Sequence, residues 1–291
     1  MTKIYLDRNV EDVNLGALAD DDLLVYDEAT QKWVNKSLAV SADFEELSNM
    51  WDYIDRYGFV EDQKPPITFN DTTYVLTLGD VETIYPVFLD GIVIEKTRDT
   101  CNLPFSGTPV AGTYYFYLDE TMKLVQSTDP WDLSDKIIPV AIVIWNDALT
   151  PKYILLDERH TATIDRKDHR YNHLTRGTQL VDDGGLTGYS TASSSNANNT
   201  FSIGESIIAD EDLFHTLASQ NDENGANTPY LCMYRDSGSY VWAWSAMPYL
   251  WGTDYIKYDN AGTLTEGANA KYYNWYLVYT NAVGDGRFIL I

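Results

Sequence analysis

Three of the four histidines, His160, His169 and His173, fall within residues 157–176 of this 291-residue chain, at the spacing H-x8-H-x3-H. Imidazoles four residues apart stand on one face of a helix, an arrangement that can chelate a transition metal. The same stretch holds five of the twenty Lys and Arg residues, and the acids Asp157, Glu158, Asp165 and Asp168. No cysteine completes a tetrahedral ligand set, and no carboxylate does so at a recognised spacing. The expectation is therefore no metal and no cofactor. The competing chemistry is ionic. Arg159, Arg166 and Arg170 are expected to pair with Asp157, Glu158, Asp165 and Asp168. The stretch then reads as a domain junction built on Arg159, His160, His169, His173 and Arg176. Imidazoles held at a subunit interface would also titrate between acid and neutral pH.

Other reactive patterns are missing from the sequence. It has no G-x-S-x-G, no P-loop and no G-x-G-x-x-G after a strand. Paired carboxylates of the glycosidase kind carry no information in a chain this acidic. No catalytic residue is assigned, and the chain is read as not an enzyme. Cys101 and Cys232 sit far apart, at no metal-like spacing, and read as small buried hydrophobes suited to a reducing cytoplasm. A formal net charge of −24 argues against nucleic acid, which needs clustered Lys and Arg. No run of eighteen apolar residues predicts membrane insertion, and the first residues have no signal-like apolar core.

The elements that must position these groups are mostly strands. Residues 23–27, 28–31 and 32–35 read as strand, tight turn, strand, and a lone hairpin must dock on something. Residues 41–58 read as a short coiled-coil-like helix. Phe44, Leu47, Trp51 and Ile54 lie at spacings of three, four and three, Asp43 and Glu46 form a capping box, and Gly58 is the stop. That seam packs either on its own domain or on copies of itself in an oligomer. Pro65 and Pro66 make 59–66 a stiff linker. Residues 67–156 then alternate as several short strands, with Pro139 marking an edge or a bulge. Residues 157–200 are the connector. Residues 201–291 return to strands, with a hairpin turn near Gly262 and a closing strand at 287–291. The expected fold class is mainly β: two antiparallel β-sandwich or jelly-roll-like domains in series, preceded by the hairpin segment 1–40 and the helix.

The last β domain is crowded with aromatics, fifteen Tyr, Trp and Phe from Tyr230 onward. Tyr240, Trp242 and Trp244 share one strand face by the period of two, and Tyr273 and Trp275 another. Tyr249 and Trp251 fall in a loop between them. One modest domain does not easily bury so many rings, so some are expected at a partner interface or a glycan-binding face.

The chain also carries a resemblance. The segment Asp157-Glu-Arg-His160, continued by Asp168-His-Arg-Tyr-Asn-His-Leu-Thr-Arg-Gly177, resembles one found in tailed-bacteriophage fibre and other virion structural proteins. There a Glu-Arg-His signature closes a β-rich domain and a His-x3-His stretch opens the next. The strands at 112–118 and 138–144 are similar to those that lead up to it. Residues 22–27 and 32–35 resemble a hairpin common near the start of tail-fibre proteins. Thr161 departs from the glycine that often follows Glu-Arg-His. The resemblance implies a structural virion protein, assembled in the host cytoplasm as a homotrimer. It would be anchored to other virion proteins through Leu24, Tyr26 and Trp33, with its β domains projected for attachment to a host-surface glycan or protein. A head fibre, collar or baseplate component, a glycan-binding module, and a polysaccharide depolymerase are the alternatives.

Overall fold

Strand-forming residues in this chain alternate between the two sides of a sheet, and that alternation builds the core. In Gly112–Leu118, Tyr114, Phe116 and Leu118 are buried while the residues between them are not. Ile67 and Phe69 do the same in Ile67–Asn70. The computed structural model describes residues 13–14, 22–27, 32–37, 56–104, 109–133, 136–162, 165–188, 201–220, 230–245, 252, 255–269, 271–274, 276–284 and 287–291. The fold is mainly β, with several antiparallel sheets, no closed barrel, and one α-helix among the described residues.

The chain divides into two compact units, Met1–Ile54 and Asp55–Ile291. In the first, Asp22–Asp27 pairs antiparallel with Lys32–Ser37, and Val13–Asn14 adds a parallel strand. The expected hairpin is therefore present. Tyr26 stands opposite Trp33 in the register, and Leu24 opposite Asn35. The seam positions Phe44, Leu47, Trp51 and Ile54 lie outside the described residues.

The second unit begins by correcting the linker. Gly58–Phe59 is a strand paired with Tyr85–Leu89, and Phe59 is fully buried. Gly58 is therefore not a helix stop. Its φ is +122°, and a Cβ there would lie 2.6 Å from the His160 carbonyl oxygen. Only glycine lets the two backbones approach so closely.

Four strands, Leu124–Ser127, Gly112–Leu118, Ile138–Trp145 and Tyr153–Asp157, form the antiparallel sheet beneath the functional region, in that order. Pro139 sits in an interior strand where the register against Phe116 and Tyr117 shifts by one residue, so the expected irregularity is a bulge. Trp145 is the largest fully buried side chain among the described residues. Its ring meets Phe69 and Tyr74 edge-on, and its Nε1–H donates to the Pro109 carbonyl at 3.3 Å.

The C-terminal half carries a second four-stranded sheet, ordered Ser239–Ser245, Tyr230–Asp236, Phe288–Leu290, Leu277–Tyr279. Phe288–Leu290 is paired on both sides, parallel to one neighbour and antiparallel to the other. The turn at Ala261 and Gly262 closes a hairpin, Lys257–Asn260 with Thr263–Glu266, as expected. The two β halves are not insulated from each other. Ile154 from the first packs in one apolar cluster with Leu231, Trp242, Ala282 and Ile289 from the second. Main-chain bonds from Asp157 N to Asn281 O (3.2 Å) and from Val283 N to Leu155 O (2.7 Å) stitch the same seam.

Trp145→Ala is expected to destabilise the second unit by about 3–5 kcal/mol through cavity formation. Thermal melting followed by far-UV circular dichroism should show the midpoint falling by roughly 10 °C. An unchanged midpoint would remove Trp145 from the core.

Candidate functional site

All four histidines of the chain converge in the second unit, and the elements that bring them together can be followed one at a time. Tyr153–Asp157 leaves its sheet at Asp157, and residues 158–162 then run alongside Gly58–Phe59. Phe59 N–H donates to His160 O (2.8 Å), and Ala162 N–H to Phe59 O (2.9 Å). The helix Arg166–Thr175 begins at Asp165, whose carboxylate caps Asp168 N–H at 2.8 Å. Its turn places His169 and His173 on one face. A hairpin, Ser206–Asp210 with Leu213–Leu217, brings the third component. Glu211 and Asp212 form its two-residue turn, and Glu211 adopts φ +57°, a conformation usually left to glycine or asparagine. His215 lies on the second strand of that hairpin.

The turn delivers acids to the imidazoles. Glu211 has a fully buried side chain, with Oε2 2.8 Å from His169 Nε2 and Oε1 3.1 Å from His173 Nδ1. Both contacts are within ionic range, but neither has the directional geometry of a hydrogen bond. Asp212 Oδ1 lies 2.7 Å from His160 Nδ1, while Thr161 Oγ1 donates to its other oxygen at 2.6 Å. On the far side of the ring, His160 Nε2 faces Glu158 Oε2 at 3.9 Å. His169 Nδ1 is hydrogen-bonded to the Tyr57 hydroxyl. The His160 and His169 rings stand 4.3 Å apart, centroid to centroid. Asn281 Nδ2 donates to Glu158 Oε1 (3.1 Å) and to the Asp157 carbonyl (2.7 Å), so the C-terminal half also grips the cluster.

This arrangement perturbs the titration of its members. Burial pushes the Glu158 carboxyl up to about 7, with the His160 charge opposing and Asp210 reinforcing the shift. Burial would raise Glu211 as well, but the imidazoles of His169 and His173 outweigh it and bring that carboxyl down to about 2. Burial would lower His160, but the hydrogen bond and charge of Asp212 leave its pKa raised. The Glu211 contact, ahead of opposing burial, raises His173. Burial lowers His215. Such opposed shifts in one small volume are a common mark of functional sites.

The expected ion pairs are partly present. Arg159 holds Asp157 through Nε (2.7 Å) and Nη2 (2.6 Å), and its Nη1 donates to the Pro65 carbonyl. Arg166 reaches outside the stretch, to Asp90 at 3.3 Å. Arg176 is exposed and contributes its backbone N–H, which closes the helix on Asn172 O at 2.7 Å. His160 and His169 are buried, whereas the His173 side chain is 46% exposed at the rim. Sequence reasoning missed Tyr57, Asp210, Glu211, Asp212 and His215. The available signal was a triplet of acids between two short apolar stretches, followed by the fourth histidine.

The aromatic candidates separate by burial. Trp242 is a core residue, 4% exposed, with its indole N–H donating to the Pro151 carbonyl at 2.7 Å. That overturns its assignment to a binding face. Trp244 is half-buried against the shared apolar cluster. Tyr240 is 70% exposed. Tyr273 is half-buried, accepts a bond from Ala268 N–H (3.0 Å), and stacks on Tyr258. Tyr249, Trp251 and Trp275 lie outside the described residues. Tyr240 and Tyr273 border an open cleft of about 410 Å³, together with Tyr234, Tyr258, Tyr272 and Tyr276. Tyr272 is fully exposed there, and it was not among the sequence candidates.

Comparison of the chain with protein-family models, with curated proteins and with solved structures finds no match.

Arg159→Met strands the buried Asp157 carboxylate, and loss of one member of such a pair costs about 3–5 kcal/mol. The double variant Asp157→Asn/Arg159→Met should recover most of that loss, as read by denaturant unfolding. Equal losses in the single and double variants would show that the pair is not energetically coupled.

Proposed function

We propose that the chain is a structural protein of a tailed-bacteriophage virion, a fibre or spike that presents its C-terminal β half to a saccharide on the host surface. The observation that carries this reading is the tyrosine cleft. Its rings are left wet: Tyr240, on the strand Ser239–Ser245, is 70% exposed, and Tyr272 and Tyr276, outside the strands, are fully and 62% exposed. Aromatic faces of this kind stack on the C–H face of a sugar, while phenol hydroxyls and Arg235 at the same cleft bond its hydroxyls. The resemblance of residues 157–177 and of the N-terminal hairpin to virion proteins supports the setting.

A second feature supports assembly into an oligomer. The edge strand Thr178–Asp182 is exposed along its whole length and carries Leu180 and Val181, 49% and 57% exposed. On the same sheet, Phe214 is 68% exposed. An exposed edge that carries apolar side chains invites a partner strand, and another copy of the chain is the natural one.

Light scattering of the full chain is expected to report a trimer, and glycan-array screening a saccharide ligand. Alanine at Tyr240, Tyr272 and Tyr276 should each weaken that ligand by about tenfold, about 1.4 kcal/mol, with trimer mass and melting temperature unchanged. A stable monomer at micromolar concentration removes the fibre assembly. Saccharide binding that survives all three substitutions removes the cleft.

A further inference from the structure

We propose that His160, His169 and Glu211 form a binding site for one divalent transition-metal ion of the zinc class, with Glu158 as the carboxylate on its open side. The reading is independent of any role in a virion, and it reverses the sequence expectation of no metal.

One ligand atom from each of His160, His169 and Glu211 lies within 4.8 Å of the others. Ligands of a four-coordinate ion bound at about 2.0–2.1 Å stand roughly 3.4 Å apart, so small side-chain movements close the set. A second trio of atoms, from Glu158, His160 and Asp210, satisfies the same limit and shares His160 with the first. Two imidazoles with carboxylates suit zinc, manganese or ferrous ions better than calcium or magnesium, which take all-oxygen shells.

The orientation of the rings carries the argument further. Asp212 accepts from His160 Nδ1, so the neutral ring keeps its lone pair on Nε2. The Tyr57 hydroxyl also occupies Nδ1 of His169, and with that nitrogen donating to the phenol oxygen the Nε2 lone pair is free for a ligand. His173 holds the second oxygen of Glu211 at 3.1 Å. Each of the three ligands thus has an outer partner that aims it, which is the usual construction around a bound metal. The atoms left over are Nε2 of His160 and of His169. Neither has a hydrogen-bond partner among the described residues, although the two side chains are only 4% and 2% exposed.

Charge points the same way. Arg159 is engaged with Asp157, and among the described residues Glu158 and Glu211 meet the imidazoles of His160 and His169 directly, at 3.9 and 2.8 Å. A buried carboxylate set against the unprotonated nitrogen of a neutral imidazole favours a bound cation. A cleft of about 880 Å³, lined by Glu158, His173 and Asp210 among others, gives an ion a path to the site.

The test uses the full chain, stripped with a chelator and then titrated with Zn²⁺, with Mg²⁺ in parallel. Elemental analysis should find one zinc per chain. Zn²⁺ at a hundredfold excess over its Kd should raise the melting temperature by about 5 °C or more, and Mg²⁺ should not. Co²⁺ should give the visible absorption of a low-coordinate nitrogen and oxygen site. His169→Gln and Glu211→Gln should abolish the stoichiometric zinc. Asp212→Asn, which only aims His160, should weaken it about 10–100-fold. Cys101→Ala should leave it unchanged, separating this site from thiol chelation. If the ligand variants do not fold, the Co²⁺ spectrum of the wild type and the Asp212→Asn affinity still decide. The proposal is overturned if folded wild-type chain takes up no stoichiometric zinc. It is equally overturned if folded His169→Gln and Glu211→Gln variants bind as the wild type does.

Discussion

The carboxylate of Glu211 is removed from water altogether, and much of the second unit is arranged to make that tolerable. A desolvated charge costs several kcal/mol unless opposite charge and dipoles meet it. His169 and His173 meet it from the helix, and their distance along the chain is set by the helical turn. The helix is held in place by the Asp165 cap. Tyr57, next to the strand Gly58–Phe59, can reach His169 only because Gly58 lets the backbone lie against the His160 carbonyl. Even the turn bearing Glu211 accepts an unfavourable φ to aim the side chain inward. Local backbone cost of this sort persists where the surrounding contacts overdetermine the conformation.

How legible this was in the sequence depended on the range of the interaction. The hairpin at 22–37 and the strands through 67–157 follow from alternation and turn residues, which are local. Pro139 announced its irregularity because it lacks an N–H. Arg159 and Asp157 are two positions apart and could be paired on paper. Glu211 could not be paired in that way. Its imidazole partners belong to other segments, so nothing near residues 210–212 in the sequence points to them. His160 and Asp212 are 52 positions apart, and Tyr57 and His169 are 112. The linker reading of 59–66 failed for a related reason. Paired prolines do stop a helix, but they do not forbid a buried Phe59 or a Pro65 carbonyl that accepts from Arg159.

The aromatic stripes show the limit of periodicity from another side. A period of two assigns Tyr240, Trp242 and Trp244 to one face, but it says nothing about how far a neighbouring element extends over that face. Trp242 lies beneath the shared cluster and is dry, while Tyr240, two residues away, is wet. The dry part of the stripe joins the two β halves, and the wet part faces the cleft. One strand therefore supplies both cohesion and exposed chemistry, and its register sets where one gives way to the other.

The contacts that close the histidine cluster also bear on how the chain reaches its folded state. Tyr57 to His169, His160 to Asp212, and Asn281 to Asp157 each join segments far apart in sequence. Closing such loops costs entropy before any contact compensates, and folds rich in non-local pairing form slowly. None of the three closures is complete without the others, because each leaves a buried polar atom waiting for a segment not yet docked. The cluster is thus complete only once all of these segments have docked. The first sheet can assemble from neighbouring strands, but the unit becomes native only when its beginning, middle and end arrive at the same few side chains.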